Sequence, residues 1–175
     1  IEEDGWGHPL PLLLGHEGAG TVEAVGAAVE AVAPGDRVVI GWKTACGACS
    51  ACLRGEPRQR RRPPVAAERL RRADGTPLTA FLRTGTFATR TVVPEAAVVP
   101  LPGELPAEQA CLIGCGVATG VMSALETAHV WEGARVAVIG CGAVGLNVVQ
   151  GARLAGASVI RAIDLDERKV AAARR

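Results

Sequence analysis

Tyrosine is absent from this chain, aromatic residues make up only 3% of it, and lysine occurs only at Lys43 and Lys169. Arginine carries most of the positive charge. With alanine and glycine abundant, the composition reads as the bias of a GC-rich genome and says nothing about mechanism. The formal net charge is +1, too small for electrostatics to be the main handle on nucleic acid or a membrane surface. The arginine-rich stretch from Arg58 to Arg72 lacks the interleaved aromatics on which bases would stack, so a solvated loop accounts for it better. No apolar run approaches the ~18 residues of a membrane span. The longest, around Leu12–Leu14 and Val136–Ile139, are strand-sized. The opening residues Ile1, Glu2, Glu3 and Asp4 are acidic, without the basic start and apolar stretch of an export signal. There is no initiator methionine either, so the chain is expected to begin partway through a longer protein. A cytoplasmic setting is expected, with neither membrane nor nucleic acid as a partner.

What is present suffices for a packed core, since 49% of the 175 residues are apolar, a length that fits one domain or two small ones. Gly20–Gly26 alternates small or apolar with polar residues and reads as a strand. Pro34-Gly35-Asp36 is a tight turn leading into a second strand, Arg37–Trp42. Cys46–Cys52 reads as a loop, and Phe87–Val93 and Ala97–Leu101 as further strands, which together predict a small, mostly β domain. From Pro106 the texture changes, because Pro106-Ala-Glu-Gln is a good helix start. Arg135–Ile139 is a short buried strand, Ala143–Leu154 a helix, Val159–Ile163 a second strand, and Asp166–Arg175 the start of another helix. That alternation is the opening half of a doubly wound sheet. The boundary is placed near Cys115–Gly120.

Gly140-x-Gly142-x-x-Gly145 falls directly after a strand and opens a helix. Gly140 permits the tight turn, Gly142 lets the backbone approach a pyrophosphate, and Gly145 lets helix and strand pack closely, with Val144 inside the same turn. Asp164 follows about 20 residues on, where a carboxylate accepts hydrogen bonds from an adenosine ribose. A carboxylate there repels a 2′-phosphate, so NAD is favoured over NADP, although Arg161 and Arg168 lie close by in sequence. The competing account is a glycine-rich turn in some other α/β protein.

The six cysteines are clustered rather than spread as a disulfide framework, which favours metal binding over oxidation. Cys46-x-x-Cys49-x-x-Cys52 places three thiolates on one short loop, a spacing that can wrap a tetrahedral zinc ion. A closed site wants four ligands, and the obvious continuation about eight residues on falls at Arg60, which cannot ligate a cation. The site is therefore vacant, three-coordinate with water, or completed by a carboxylate such as Glu56. Free thiols or a redox pair remain the alternatives.

Gly15-His16-Glu17-Gly18-Ala19-Gly20, then Val22, Val25-Gly26, Val29 and Gly35-Asp36-Arg37-Val38, resembles the signature of the zinc-dependent medium-chain alcohol dehydrogenases. The triple-cysteine loop, Cys111–Gly120 and the glycine fingerprint follow in that family's order. Trp42-Lys43 and Arg54-Gly-Glu-Pro57 look closest to its thiol-dependent formaldehyde dehydrogenase branch. The resemblance implies an α/β chain. Residues 1–116 would form a chaperonin-10-like, mostly β catalytic domain, truncated at its N-terminus, and residues 117–175 the first half of a Rossmann NAD-binding domain.

By the same resemblance His16 and Cys115 are two of the three ligands of a catalytic zinc, and Glu17 is the carboxylate behind the metal. Thr119 lies near the nicotinamide, Lys169 meets the adenosine ribose, and Cys46, Cys49 and Cys52 hold a structural zinc whose fourth ligand is missing. His8 and His129 match nothing and are left as structural. The implied reaction passes a hydride between an alcohol, or a hemithioacetal, and NAD, with zinc activating the alcohol.

Three departures stand against this pattern. The first catalytic ligand is expected upstream of Ile1, the second half of the nucleotide domain is missing, and the fourth structural cysteine is replaced. The family pattern resumes at Asp74-Gly75 with unchanged loop length, as a compensated reading-frame disturbance across Arg58–Arg72 would leave it. Translating the DNA in its other frames tests that hypothesis. The 175 residues alone are expected to be inactive and poorly soluble, and the parent protein to be a homo-oligomer acting on a small alcohol or aldehyde. The competing functions are a zinc-independent quinone-reductase-like enzyme and a non-catalytic nucleotide-binding scaffold.

Overall fold

The structure is a computed structural model that describes residues 10–56 and 70–174. Arg60, most of the arginine-rich stretch and His8 lie outside the described residues. The chain divides between Gly114 and Cys115 into two compact units.

The first unit is built on β-strands. Strand β1 (Leu12–Leu13) is followed by β2 (Gly18–Thr21), β3 (Arg37–Ile40), a one-turn helix α1 (Ser50–Leu53), β4 (Leu70–Arg71), β5 (Pro77–Ala80) and β6 (Val98–Pro100). A short helix, α2 (Ala107–Ala110), runs into a 3-10 turn, Cys111–Gly114. Strand β3 is central to one antiparallel sheet, pairing Gly18↔Ile40 through Thr21↔Arg37 on one side and Ile40↔Val98 through Val38↔Pro100 on the other. Val38, Val39 and Ile40 are consecutively buried, as a strand covered on both faces requires. The second sheet orders β1-β5-β4, with β1 parallel to β5 and β4 antiparallel to it.

The turn into β3 follows its sequence. The Asp36 amide donates to Ala33 O (3.1 Å) with Gly35 at φ +98°. Proline then glycine at the two central positions is the type II signature. The Asp36 carboxylate accepts the Ala33 N–H at 2.8 Å.

Two expected strands come out differently. The one placed over Gly20–Gly26 starts at Gly18 and stops at Thr21, because its partner β3 is only four residues long. The chain beyond closes a turn from Gly26 to Val29. Phe87–Val93 is not a strand. Only its leading edge pairs, Phe87 N–H donating to Leu14 O (3.0 Å), while Phe87 and Val92 stay 75% and 67% exposed. Its alternating pattern finds no extended edge to pair with among the described residues. The cysteine segment, expected as a loop, winds into α1 at Ser50–Leu53.

The second unit contains α3 (Gly116–Met122), a π turn (Ser123–Thr127), β7 (Arg135–Ile139), α4 (Ala143–Leu154), β8 (Val159–Ile163) and α5 (Glu167–Ala173). Strands β7 and β8 are parallel, in register from Arg135↔Val159 to Ile139↔Ile163. This is the β-α-β opening of a doubly wound sheet, and β7, α4 and β8 end at the expected residues. Helices α3 and α4 approach through glycine. A methyl group added at Gly120 would sit 2.5 Å from Val144 O and would overlap Asn147, and one at Gly151 would sit 2.9 Å from Val121 Cα. His129, at φ +48°, closes the π turn, where Val130 N–H donates to Ala124 O at 3.0 Å. No single helix among the described residues is long and apolar enough to cross a membrane.

Candidate functional site

Three groups of predicted residues are held by different local devices. The first is the loop carrying His16 and Glu17, between β1 and β2. Gly15 precedes it at φ +92°, a conformation that favours glycine, and a side chain there would lie 2.5 Å from Phe87 N and 2.7 Å from the Thr86 hydroxyl. The segment 81–87 clamps this loop. Gly15 O accepts the Thr86 N–H (3.0 Å) and the Thr84 hydroxyl (3.1 Å), and Glu17 O accepts the Thr86 hydroxyl (3.2 Å). Thr84 is only 2% exposed. The half-buried imidazole of His16 stands edge-on to the Phe81 ring, with centroids 5.7 Å apart. Thr84, Thr86 and Phe81 escape sequence reasoning because they lie some 65–70 positions from the loop they hold, and no local pattern announces such a contact.

The second group is the thiol cluster. Cys46, Cys49 and Cys52 offer ligand atoms that all lie within 4.8 Å of one another. The Cys49–Cys52 and Cys46–Cys52 sulfur separations are 3.5 and 3.9 Å, and the Cys49 N–H points at the Cys46 sulfur (3.4 Å). Helix α1 brings Cys49 and Cys52 together by placing them at its start and last turn. The Ala48 and Cys49 backbone amides hold the Cys46 thiol down to about 6. The Cys52 amide pulls the same way on Cys49, but the Cys52 side chain and burial win and push it up. An anionic sulfur beside two thiols is the donor set a thiophilic cation takes, so the residues fit zinc.

The third group is the glycine turn. Gly140, at φ +95°, ends β7, and at neither Gly140 nor Gly142 would an added methyl meet any atom within 4 Å. At Gly145 it would overlap Gly140 O. Open space at the first two glycines and close packing at the third are what a pyrophosphate laid against the N-terminus of α4 needs. No side chain caps that terminus, and Val144 is half-exposed on its first turn. The Asp164 carboxylate accepts the Cys141 N–H at 2.7 Å through one oxygen and the Asp166 N–H at 2.9 Å through the other. Those two amides, first Asp166 and then Cys141, with the nearby Lys169 ammonium, hold its pKa below the ordinary value. Each carboxylate oxygen keeps a second lone pair, so Asp164 stays ionised and able to accept from a diol. The residues fit a dinucleotide.

Cys115 heads α3, its carbonyl accepting the Thr119 N–H at 2.8 Å, and Thr119 is exposed one turn on. His16 and Glu17 belong to the first unit and Cys115 to the second.

Residues 1–103 match the alcohol dehydrogenase GroES-like domain. S-(hydroxymethyl)glutathione dehydrogenase of Saccharomyces cerevisiae is 44% identical over 169 residues, covering 91% of this chain and 44% of that protein. The enzyme of the same name from Paracoccus denitrificans is 40% identical, covering 91% and 45%. Among solved structures, an alcohol dehydrogenase zinc-binding domain protein from Burkholderia ambifaria is 38% identical with a TM-score of 0.86, over 95% of this chain and 47% of that one. Benzyl alcohol dehydrogenase from Acinetobacter calcoaceticus is 31% identical with a TM-score of 0.81, over the same shares. The chain belongs to the alcohol dehydrogenase GroES-like domain family, within the zinc-dependent medium-chain alcohol dehydrogenases. It spans less than half the length of these relatives.

Proposed function

We propose that the full-length protein carrying this chain is a zinc- and NAD-dependent alcohol dehydrogenase whose alcohol is a small molecule or the hemithioacetal of formaldehyde with a thiol. The observation that carries the reading is the pairing of a clamped Gly15-His16-Glu17 loop with an open Gly140/Gly142 turn backed by Asp164. The names of the yeast and Paracoccus relatives support the hemithioacetal. Residues 1–116 act as the catalytic domain and 117–175 as part of the nucleotide domain. When bound, zinc polarises the alcohol oxygen and NAD accepts the hydride.

The chain's own residues do the positioning. His16 and Cys115 serve as two ligands for the catalytic metal, with the 81–87 clamp fixing the backbone from which His16 projects. Glu17 stands behind the metal as a tuning carboxylate. Gly140, Gly142, Val144 and Gly145 let α4 present its N-terminal amides to the pyrophosphate. Asp164 accepts from the adenosine ribose, with Lys169 alongside, and Thr119 lies towards the nicotinamide. Asp164 also disfavours a 2′-phosphate, so NAD is preferred to NADP. Cys46, Cys49 and Cys52 sit at metal-ligand spacing rather than in a disulfide framework, which supports a reducing, cytoplasmic setting. The chain spans less than half the length of the relatives it matches, so the 175 residues alone are expected not to turn over.

The test is NADH formation by the full-length protein with simple alcohols and with formaldehyde plus glutathione. Activity lost on chelation, and cut at least ~100-fold in His16→Ala and Cys115→Ser, is expected. Full activity after removal of all metal would refute the zinc reading and favour the quinone-reductase-like one. One bound zinc ion per chain without turnover would favour a scaffold. Gel filtration of the same protein checks the expected homo-oligomer.

A further inference from the structure

We infer that Cys46, Cys49 and Cys52 form an open metal site, in which three thiolates hold one thiophilic divalent ion and its fourth position is left to an exchangeable ligand from solution. The inference goes beyond the hydride chemistry and does not depend on it. A closed zinc site takes four protein ligands, and a site with three keeps a position that solvent or a small molecule fills.

The count of donors is what leaves that position open. The remaining cysteines are engaged elsewhere. Cys111 donates its thiol to Glu108 O (3.4 Å), Cys115 heads α3, and Cys141 is 1% exposed in the glycine turn. Pro57–Arg69 contains neither cysteine nor histidine, so no thiolate or imidazole can arrive from the stretch that follows the cluster. Glu56 pairs with Arg54 at 3.4 Å, and its carboxylate is not among the ligand atoms gathered with the three sulfurs. Among the described residues the three sulfurs alone gather into a metal-sized group.

Exposure gives the fourth position its access. Cys46 is exposed and the other two are half-exposed, so the group faces solvent. Three thiolates on a divalent ion leave the site with one negative charge. A soft donor suits such an ion, and small thiols are the class of external ligand expected to bind best.

The test uses the full-length protein, stripped of metal and reloaded with cadmium-113 for NMR. One resonance should vanish in each of Cys46→Ser, Cys49→Ser and Cys52→Ser and survive in His16→Ala. Adding millimolar 2-mercaptoethanol should shift that resonance towards the four-sulfur range. A resonance that ignores the thiol, or no cadmium signal sensitive to these cysteines, overturns the inference. A second measurement uses His16→Ala, which removes the catalytic metal and its own open position. Zinc transfer from that variant to a chromophoric chelator should include one equivalent whose rate rises in proportion to chelator concentration, because an open position admits direct attack. A rate independent of chelator for every equivalent means a closed site and overturns it. The resonance lost in His16→Ala reports separately on the dehydrogenase reading, so the two can fail independently.

Discussion

Thr84 and Glu95 each fix a loop from a distance, and they do so by different physics. The Thr84 hydroxyl, buried, bridges Gly15 O and Phe81 O at 3.1 Å each. Both carbonyls keep other donors, from Thr86 N–H and from the Thr84 amide, so removing the hydroxyl strands neither. Thr84→Val should therefore cost about 1 kcal/mol, the ordinary worth of one internal hydrogen bond, rather than the ~3 kcal/mol of an orphaned group. Urea unfolding should show a lower midpoint with an unchanged slope. Glu95 is ionic. Its carboxylate accepts the Glu30 and Ala31 amides at 2.7 and 2.6 Å, and these two, Ala31 first, hold its pKa below the ordinary 4.5. A carboxylate depressed in the folded state adds stability that is complete above its unfolded pKa and is lost as pH falls through the folded one. Wild type should thus exceed Glu95→Gln in melting temperature at pH 7, with the gap closing as the pH drops through and below ~4.5. An equal gap at pH 3 and pH 7 would contradict this.

At the scale of elements, the glycine turn separates packing from binding. A methyl at Gly145 would overlap Gly140 O, whereas at Gly142, at φ −77°, it meets nothing. Gly145→Ala should cost roughly 1–3 kcal/mol by overpacking. Gly142→Ala should cost less than about 1 kcal/mol, the difference between the two residues at a helix N-cap, yet weaken NAD binding because it fills the space the pyrophosphate needs. Calorimetric titration beside thermal melts distinguishes them, and equal effects on both readouts would remove the assignment. This contrast also explains what the sequence could and could not reveal. The limits of β7, α4 and β8 were legible because each is specified locally, by a continuous apolar run, a glycine turn and a helical period. The first unit was legible only in outline. Its strands are two to four residues long, too short for alternation to define, and whether Phe87–Val93 becomes a strand depends on a partner edge that no neighbouring residue specifies. Of the site, the ligand types and the turn were readable. The 81–87 clamp and the pairing of Glu56 with Arg54 were not, since both are contacts made in space.

For the whole molecule, the second unit sets the terms. Helix α4 runs between two parallel strands whose in-register ends, Ile139 and Ile163, are 85% and 49% exposed, with Leu165 beyond them also exposed. In a two-strand parallel sheet most of the backbone edge and one face stay open to water, whereas all-parallel sheets are stable when both faces are covered. An apolar β7–β8 face of this kind should recruit other chains or a hydrophobic dye. Expressed as these 175 residues, the protein should bind a solvatochromic dye strongly and sediment as mixed aggregates. Extended to the length of its relatives, it should lose most of that dye binding and melt in a sharp transition. Substituting Ile139 and Ile163 with threonine, which keeps the β-branched shape, should lower dye binding in the short chain while leaving β7 and β8 paired. If the short chain is monodisperse and dark to the dye, the exposed isoleucines are not a liability, and its expected insolubility loses its physical basis.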